Sequence, residues 1–157
     1  MQEKRTIGWR EWLGLPELGI DRIKAKVDTG ARSSSLHAFD LEVDEDGPEP
    51  VIHFSVHTMQ RDSKTVVRCS APLHEYRVVR SSNGHRERRP IIRTAVLLCG
   101  ASWPIDLTLT SRDQMGFRML LGRQAIRRAF VVDPGRSYRC RELAPPPRRR
   151  KKKVIEV

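Results

Sequence analysis

Three residues at the end of one predicted strand could do acid–base chemistry. The alternating run 23–27 stops at Asp28-Thr29-Gly30, so a carboxylate and a hydroxyl directly follow a strand, and a glycine comes next. A carboxylate held by a rigid strand could take a proton from a water molecule or return one to a reacting group. Asp and Gly are also common turn residues, and an ordinary capped strand end is the alternative.

A second segment later in the chain has a matching pattern. Apolar residues up to Leu121 run into Gly122-Arg123, and residues 124–130 predict a short helix. A strand that ends at a glycine and continues into a helix would give the Asp28 segment a structural partner.

Short β-rich runs separated by turn residues make up most of the chain. They predict an all-β barrel or sandwich with one convincing helix. Asn83-Gly84 is a strong hairpin signal between two of the runs, although an ordinary surface turn would look the same. The runs are residues 6–12, 23–28, 33–38, 51–56, 65–69, 77–80, 90–98 and 105–110.

Length and composition favour one domain followed by a tail. The 157 residues, 38% of them hydrophobic, suit a single domain over 1–143. Residues 144–157 are rich in Pro and basic residues, and we expect them to be disordered. No apolar run is long enough to cross a membrane, and residues 1–6 lack the apolar core of a signal peptide, so we expect a cytoplasmic protein.

The net charge indicates which kinds of partner the protein attracts, and the cysteine spacing indicates whether its thiols are reduced. The formal charge is +11, from 30 Lys and Arg against 19 Asp and Glu, and such a field attracts anionic partners such as RNA or acidic peptide. Six of these charges lie in 148–153, where a solubilising tail is the alternative. Three widely spaced cysteines, Cys69, Cys99 and Cys140, predict reduced, buried thiols.

The chain from Ile7 to Tyr138 resembles the RimB-like family, retropepsin-like aspartic endopeptidases formerly described as ATP-dependent zinc proteases. The resemblance implies a closed acid-protease barrel and a homodimer with one catalytic Asp in each subunit. It also implies association with RimK-type ligases, which add glutamate to protein tails. The segments that carry it are residues 7–12, 24–38, 77–93 and 107–123.

The resemblance also implies roles for individual residues. Two carboxylates about 3 Å apart cannot both ionise, so a pair of Asp28 residues would share one proton, activate water and polarise the scissile carbonyl. A hairpin around Asn83-Gly84 would cover the cleft as a flap. The implied catalytic residues are Asp28, Thr29 and Gly30; the implied substrate-binding residues of the hairpin are Arg77, Arg80, Ser81, Ser82 and Gly84; and Ala31, Leu121, Gly122 and Arg123 support the site.

One residue departs from the viral retropepsins, which have an acid after Asp-Thr-Gly-Ala that can pair with the arginine of Gly-Arg. Arg32 stands at that position, so Arg123 needs another partner or has none. We hypothesise that Arg32, with Arg77 or Arg80, binds substrate carboxylates through forked hydrogen bonds, which predicts acidic or glutamylated protein tails as substrates. In the alternative, Arg32 lies on a solvated face and Arg123 supports the fold.

Two other classes of function stay open. A basic β-barrel could bind RNA or ribosomes through its charge and tail without catalysis, although aromatic residues are only 6% of the chain. A metal-dependent hydrolase could use scattered His and Asp residues. The five histidines form no His-Glu-x-x-His, the cysteines form no Cys-x-x-Cys, and no phosphate-binding loop motif is present, so we expect no metal and no cofactor.

Overall fold

The computed structural model describes residues 3–59, 64–80, 83–111 and 116–143. The proposed tail over 144–157 lies outside these ranges, as do Ser81 and Ser82. Within them, no helix has the length and apolar character needed to cross a membrane. The strands are β1 Arg5–Gly8, β2 Arg10–Leu15, β3 Ile20–Asp28, β4 Ser34–His37, β5 Phe39–Asp44, β6 Val51–His57, β7 Val66–Arg80, β8 Arg86–Leu98, β9 Ala101–Thr110, β10 Met119–Gly122 and β11 Phe130–Asp133, with a 3-10 turn at Pro16–Leu18 and helix α1 at Arg123–Ile126.

Six of the strands close into a barrel. They follow the order β2-β3-β10-β4-β9-β8, and β2 pairs with β8 at Gly14 and Leu97 to complete the circle. Strands β7, β6 and β5 extend outward from β8, and β1 pairs with β11 in a separate two-stranded sheet. The predicted all-β class, with a closed barrel and one short helix, is confirmed.

The barrel interior is filled by alternate residues of each strand. In β3, Ile23, Ala25 and Val27 are buried, whereas Lys24 and Lys26 are half-buried. This period-two alternation places every second side chain in the core and leaves the polar ones outside. The apolar side chains fix the register of β3, and with it the position of Asp28 at the strand's carboxyl end.

The predicted first strand over 6–12 is divided in two. Strands β1 and β2 belong to different sheets, and the chain turns between them at Trp9. The fully buried Glu11 carboxylate holds this corner, because it accepts hydrogen bonds from the backbone N–H groups of Gly8, Arg139 and Cys140 at 2.7, 2.8 and 2.9 Å. One carboxylate therefore ties the start of the barrel to the C-terminal segment.

The helix predicted over 124–130 is shorter than its sequence suggests. Helix α1 spans only Arg123–Ile126, and Phe130 begins β11 instead. Phe130 pairs with Arg5 of β1 and its side chain is buried. A strand partner from the far end of the chain thus outweighs the local helical preference.

The prediction of reduced thiols is wrong for two of the three cysteines. Cys99 and Cys140 form a disulfide, with Cα atoms 5.0 Å apart and a sequence separation of 41. The turn after β8 presents Cys99, and the backbone anchored by Glu11 presents Cys140, so the fold creates a proximity that the spacing alone does not reveal. Cys69 is free and buried, as predicted.

Cys69 should react slowly with thiol reagents in the folded protein. Burial raises the pKa of this thiol from 9.0 to about 11, against a smaller lowering effect of Arg68. At pH 8 its thiolate fraction should be about 100-fold smaller than in the unfolded chain, and iodoacetamide labelling followed by mass spectrometry measures the difference. The raised pKa also predicts stability that is present below pH 9 and lost as the pH rises toward 11. Equal labelling rates in folded and denatured protein would contradict the raised pKa of the Cys69 thiol.

Candidate active site

Two parallel strands bring the two predicted motifs together. Strand β10 pairs with β3 so that Leu121 lies beside Val27 and Gly122 lies beside Asp28. The carboxyl ends of parallel strands meet at one edge of a sheet, so the Asp-Thr-Gly turn and the Gly-Arg turn leave the barrel side by side.

The Asp28 carboxylate is held by its own loop. Its Oδ1 atom accepts hydrogen bonds from the backbone N–H groups of Gly30 at 2.9 Å and Ala31 at 3.2 Å. The side chain is half-buried, and Thr29 and Gly30 beyond it are exposed. Both of these bonds use Oδ1, which leaves Oδ2 as the oxygen that a water molecule or substrate could approach.

Gly122 at the end of β10 and Arg123 directly after it hold this loop through hydrogen bonds and close packing. Arg123 Nη1 donates to the carbonyl oxygen of Thr29 at 3.1 Å, and the Arg123 backbone N–H donates to that of Ala31 at 2.7 Å. The Gly122 N–H donates to Ser34 Oγ at 3.0 Å. A Cβ atom at Gly122 would overlap the carbonyl group of Ser33. Arg123 therefore binds loop backbone, which is the arrangement expected if it supports the fold.

The Asp28 side chain lines a basic cleft of about 290 Å³. Asp28 is the one carboxylate among the described residues that line it, and three arginines line it with Asp28. Such an excess of cations favours an anionic ligand. The lining residues are Asp28, Ala31, Arg32, Ser33, Ser34, Ser35, Arg77, Val79, Arg89, Thr108 and Leu120.

The β7–β8 hairpin forms one wall of the cleft and separates the two arginines predicted on β7. Arg77 and Val79 line the cleft, whereas Arg80 does not. Residues three apart on a strand point to opposite faces, so Arg80 lies on the outer face of the hairpin, on the other side from Arg77. Gly84 lies in the turn with φ of +82° and does not line the cleft.

Arg89 lines the cleft although the sequence did not single it out. It lies on β8 directly opposite Arg77, and only 8% of its surface is exposed. Residues paired across two antiparallel strands share a face, so the observed register puts Arg89 beside Arg77. The turn signal at Asn83-Gly84 would not have found it, because a two-residue turn there pairs Arg77 with Pro90.

A second cavity of about 300 Å³ lies next to the cleft, along β9 and α1. Ser33, Ser34, Arg77 and Thr108 line both cavities, so the two lie side by side. In the second cavity, Arg93 is paired with Asp106 at 3.0 Å. Across the described ranges, no three His, Cys, Asp or Glu side chains are placed to hold one metal ion.

A family comparison covers the segments that build this site. The model of the RimB-like family, described as retropepsin-like aspartic endopeptidase RimB, matches residues 6–142. The chain belongs to the RimB-like family. The match covers both strands that position Asp28 and the hairpin that walls the cleft.

Curated relatives of this RimB-like chain have a different name. It is 46% identical over 131 residues to a protein of Desulfotalea psychrophila named "probable alpha-L-glutamate ligase". It is 43% identical over 135 residues to a protein of the same name from Shewanella pealeana. These alignments cover 83% and 86% of the chain but 28% and 30% of the relatives, so it spans less than a third of their length.

A solved structure has the same fold. The crystal structure of a Legionella pneumophila protein of unknown function (DUF785) superposes with a TM-score of 0.73, over 88% of this chain and 99% of that one. The two sequences are 24% identical, so the likeness bears on the fold alone.

Proposed function

We propose that this RimB-like chain is an aspartic endopeptidase that acts as a homodimer, with one Asp28 from each subunit. The observation that carries the proposal is the Asp28 carboxylate, fixed through Oδ1 by its own loop and facing a cleft with no second carboxylate among the described lining residues. In the aspartic-protease mechanism two carboxylates share one proton, so that one is ionised and activates water while the other is protonated. A two-fold axis through the Asp28 loops would supply the second.

The residues around Asp28 then have defined tasks. The ionised Asp28 takes a proton from water, which attacks the scissile carbonyl carbon, while the protonated Asp28 donates a hydrogen bond to the carbonyl oxygen. The tetrahedral intermediate then collapses, the C–N bond breaks, and a carboxyl group of the pair passes a proton to the leaving amine nitrogen. Arg123 and Gly122 hold the loop, so that the carboxylate needs little reorganisation during the reaction. The β7–β8 hairpin acts as the flap that covers the peptide and excludes water.

The cleft chemistry and the relatives both support acidic tails as substrates. Arg32, Arg77 and Arg89 supply positive charge beside Asp28. The relatives are named for ligation of glutamate, and a segment like this chain makes up about 30% of the Shewanella pealeana relative. We propose that the chain hydrolyses glutamate-rich protein tails and that it works alongside a RimK-type ligase.

The test is hydrolysis of a glutamate-tailed peptide by the purified chain, followed by mass spectrometry. If each site needs two subunits, the rate should fall with the square of protein concentration below the dimer dissociation constant. Adding a chelator should leave the rate unchanged. A rate that is linear in concentration at every dilution would contradict the shared site, and loss of activity with chelator would favour metal-dependent hydrolysis.

A further inference from the structure

Arg89 is the buried cation of the cleft wall. Its side chain is 10% exposed, and it pairs with Glu87, whose side chain is 42% exposed. Arg89 Nε and Nη2 lie 3.4 and 3.2 Å from the same oxygen, Glu87 Oε2. Arginine is seldom buried without a full set of partners, because removing a guanidinium from water is costly. A single carboxylate oxygen at these distances is a weak match for a guanidinium fork.

The residue opposite Arg89 makes its position still less favourable. Arg77 faces it across the hairpin, and like charges directly opposite each other destabilise a sheet. Arg77 forms an ion pair with Glu75 at 2.8 Å. Glu75 is two residues before Arg77 on β7, just as Glu87 is two residues before Arg89 on β8. The inner face of the hairpin thus holds two facing arginines, each balanced by a partly exposed acid.

We infer that Arg89, assisted by Arg77, binds a side-chain carboxylate of the substrate next to the bond presented to Asp28. This inference rests on the proposed peptidase function. The substrate carboxylate would occupy the Arg89 fork in place of the single Glu87 oxygen and would relieve the repulsion between the two arginines. The geometry suits a glutamate side chain, since a carboxylate accepts two parallel hydrogen bonds from one guanidinium.

Burial decides which arginine dominates specificity. Arg32 is exposed and the Arg77 side chain is 45% exposed, so water and salt screen both of them. Arg89 is already ordered and largely out of water, so a ligand contact there is stronger and costs less side-chain entropy. We therefore assign the preference for glutamate over its neutral isostere mainly to Arg89.

The experiment compares binding of acetylated tetraglutamate and tetraglutamine peptides by calorimetry, in an Asp28→Asn background that prevents turnover. The Glu/Gln affinity ratio should fall on the order of 10- to 100-fold in Arg89→Gln. Arg88→Gln is the matched control, since it removes the same charge from the outer face of the same strand, where Arg88 stacks on Tyr76. We expect it to change the ratio by less than about twofold. The Glu/Gln affinity ratio does not depend on the fraction of protein that is folded. Arg89→Lys keeps the positive charge but not the forked donor geometry, so we expect it to lower this ratio by less than Arg89→Gln does.

The outcomes separate this inference from the peptidase proposal. An unchanged ratio in both Arg89→Gln and Arg89→Lys overturns the subsite, even if Asp28-dependent hydrolysis is intact. Equal losses in Arg88→Gln and Arg89→Gln also overturn it, because they would show a diffuse field rather than a defined contact. Arg89-dependent binding of tetraglutamate without any hydrolysis by the wild-type chain would support the subsite and refute the peptidase.

Discussion

Replacement of Asp28 by Asn is expected to abolish peptide hydrolysis, with a rate loss on the order of a thousandfold or more. An amide cannot take a proton from water, yet it is nearly isosteric with the carboxylate and keeps an oxygen to accept the Gly30 and Ala31 N–H groups. The fold should therefore persist while the chemistry is lost. Mass-spectrometric product formation gives the rate, and thermal unfolding checks the fold.

Asp21→Asn is the matched control for this variant. Asp21 is an exposed acid near the other end of β3, so its replacement changes the same charge on the same strand and should leave the rate unchanged. Mixed dimers sharpen the test. If wild-type and Asp28→Asn subunits exchange freely in equal amounts, wild-type homodimers are roughly a quarter of the dimers and activity should follow that fraction. Activity that follows the wild-type subunit fraction, about one half, would contradict a shared pair.

Replacement of Gly122 by Ala should both destabilise the protein and disable the site. The added Cβ would overlap the Ser33 carbonyl group and lie 3.1 Å from the carbonyl oxygen of Ala31. The backbone φ of Gly122 is −88°, which any residue adopts, so the cost is steric rather than conformational. We expect a loss of about 2–4 kcal/mol in the free energy of unfolding. Gly122 ends β10 and Ser33 directly precedes β4, and these paired strands cannot move apart without breaking the barrel.

Activity should fall further than stability alone explains, because the loop displaced by the new Cβ carries Asp28. Denaturant unfolding and hydrolysis rates at a temperature where the variant is folded measure the two effects separately. Gly47→Ala is the control, since its nearest contact would be an ordinary 3.8 Å to a Glu49 carbonyl oxygen. Wild-type stability and activity in Gly122→Ala would show that the β10 turn does not fix the Asp28 loop.

Much of the barrel could be predicted because its strands have strong local signals. The alternation in residues 105–110 matches the end of β9, and the β-rich runs at 51–56 and 65–69 pair as β6 and β7. Two runs predicted separately, 65–69 and 77–80, are parts of the single strand β7. The local sequence does not show this continuity, because β6 and β8 pair with successive parts of β7 and keep it extended.

Pairings that depend on distant segments were the ones missed. The short helix and the divided first strand involve contacts between the first eleven residues and residues 130–140, and the disulfide joins Cys99 to Cys140, 41 positions further along the chain. Local propensity is small beside the burial and hydrogen bonding of such contacts. These errors did not affect the prediction of the Asp28 turn, because the strand and the glycine turn that define it are visible in the local sequence.

The sequence alone determined that a carboxylate stands at a strand end before a glycine turn, and that a Gly-Arg turn follows another apolar strand. Only the tertiary structure decided which arginines accompany Asp28. A two-residue turn at Asn83-Gly84 would pair Arg77 with Pro90, whereas the observed register pairs Arg77 with Arg89. A shift of one residue moves every side chain of a strand to the other face. The pairing of β7 and β8 therefore places Arg89 inside the cleft beside Arg77, and the alternation along β7 leaves Arg80 outside.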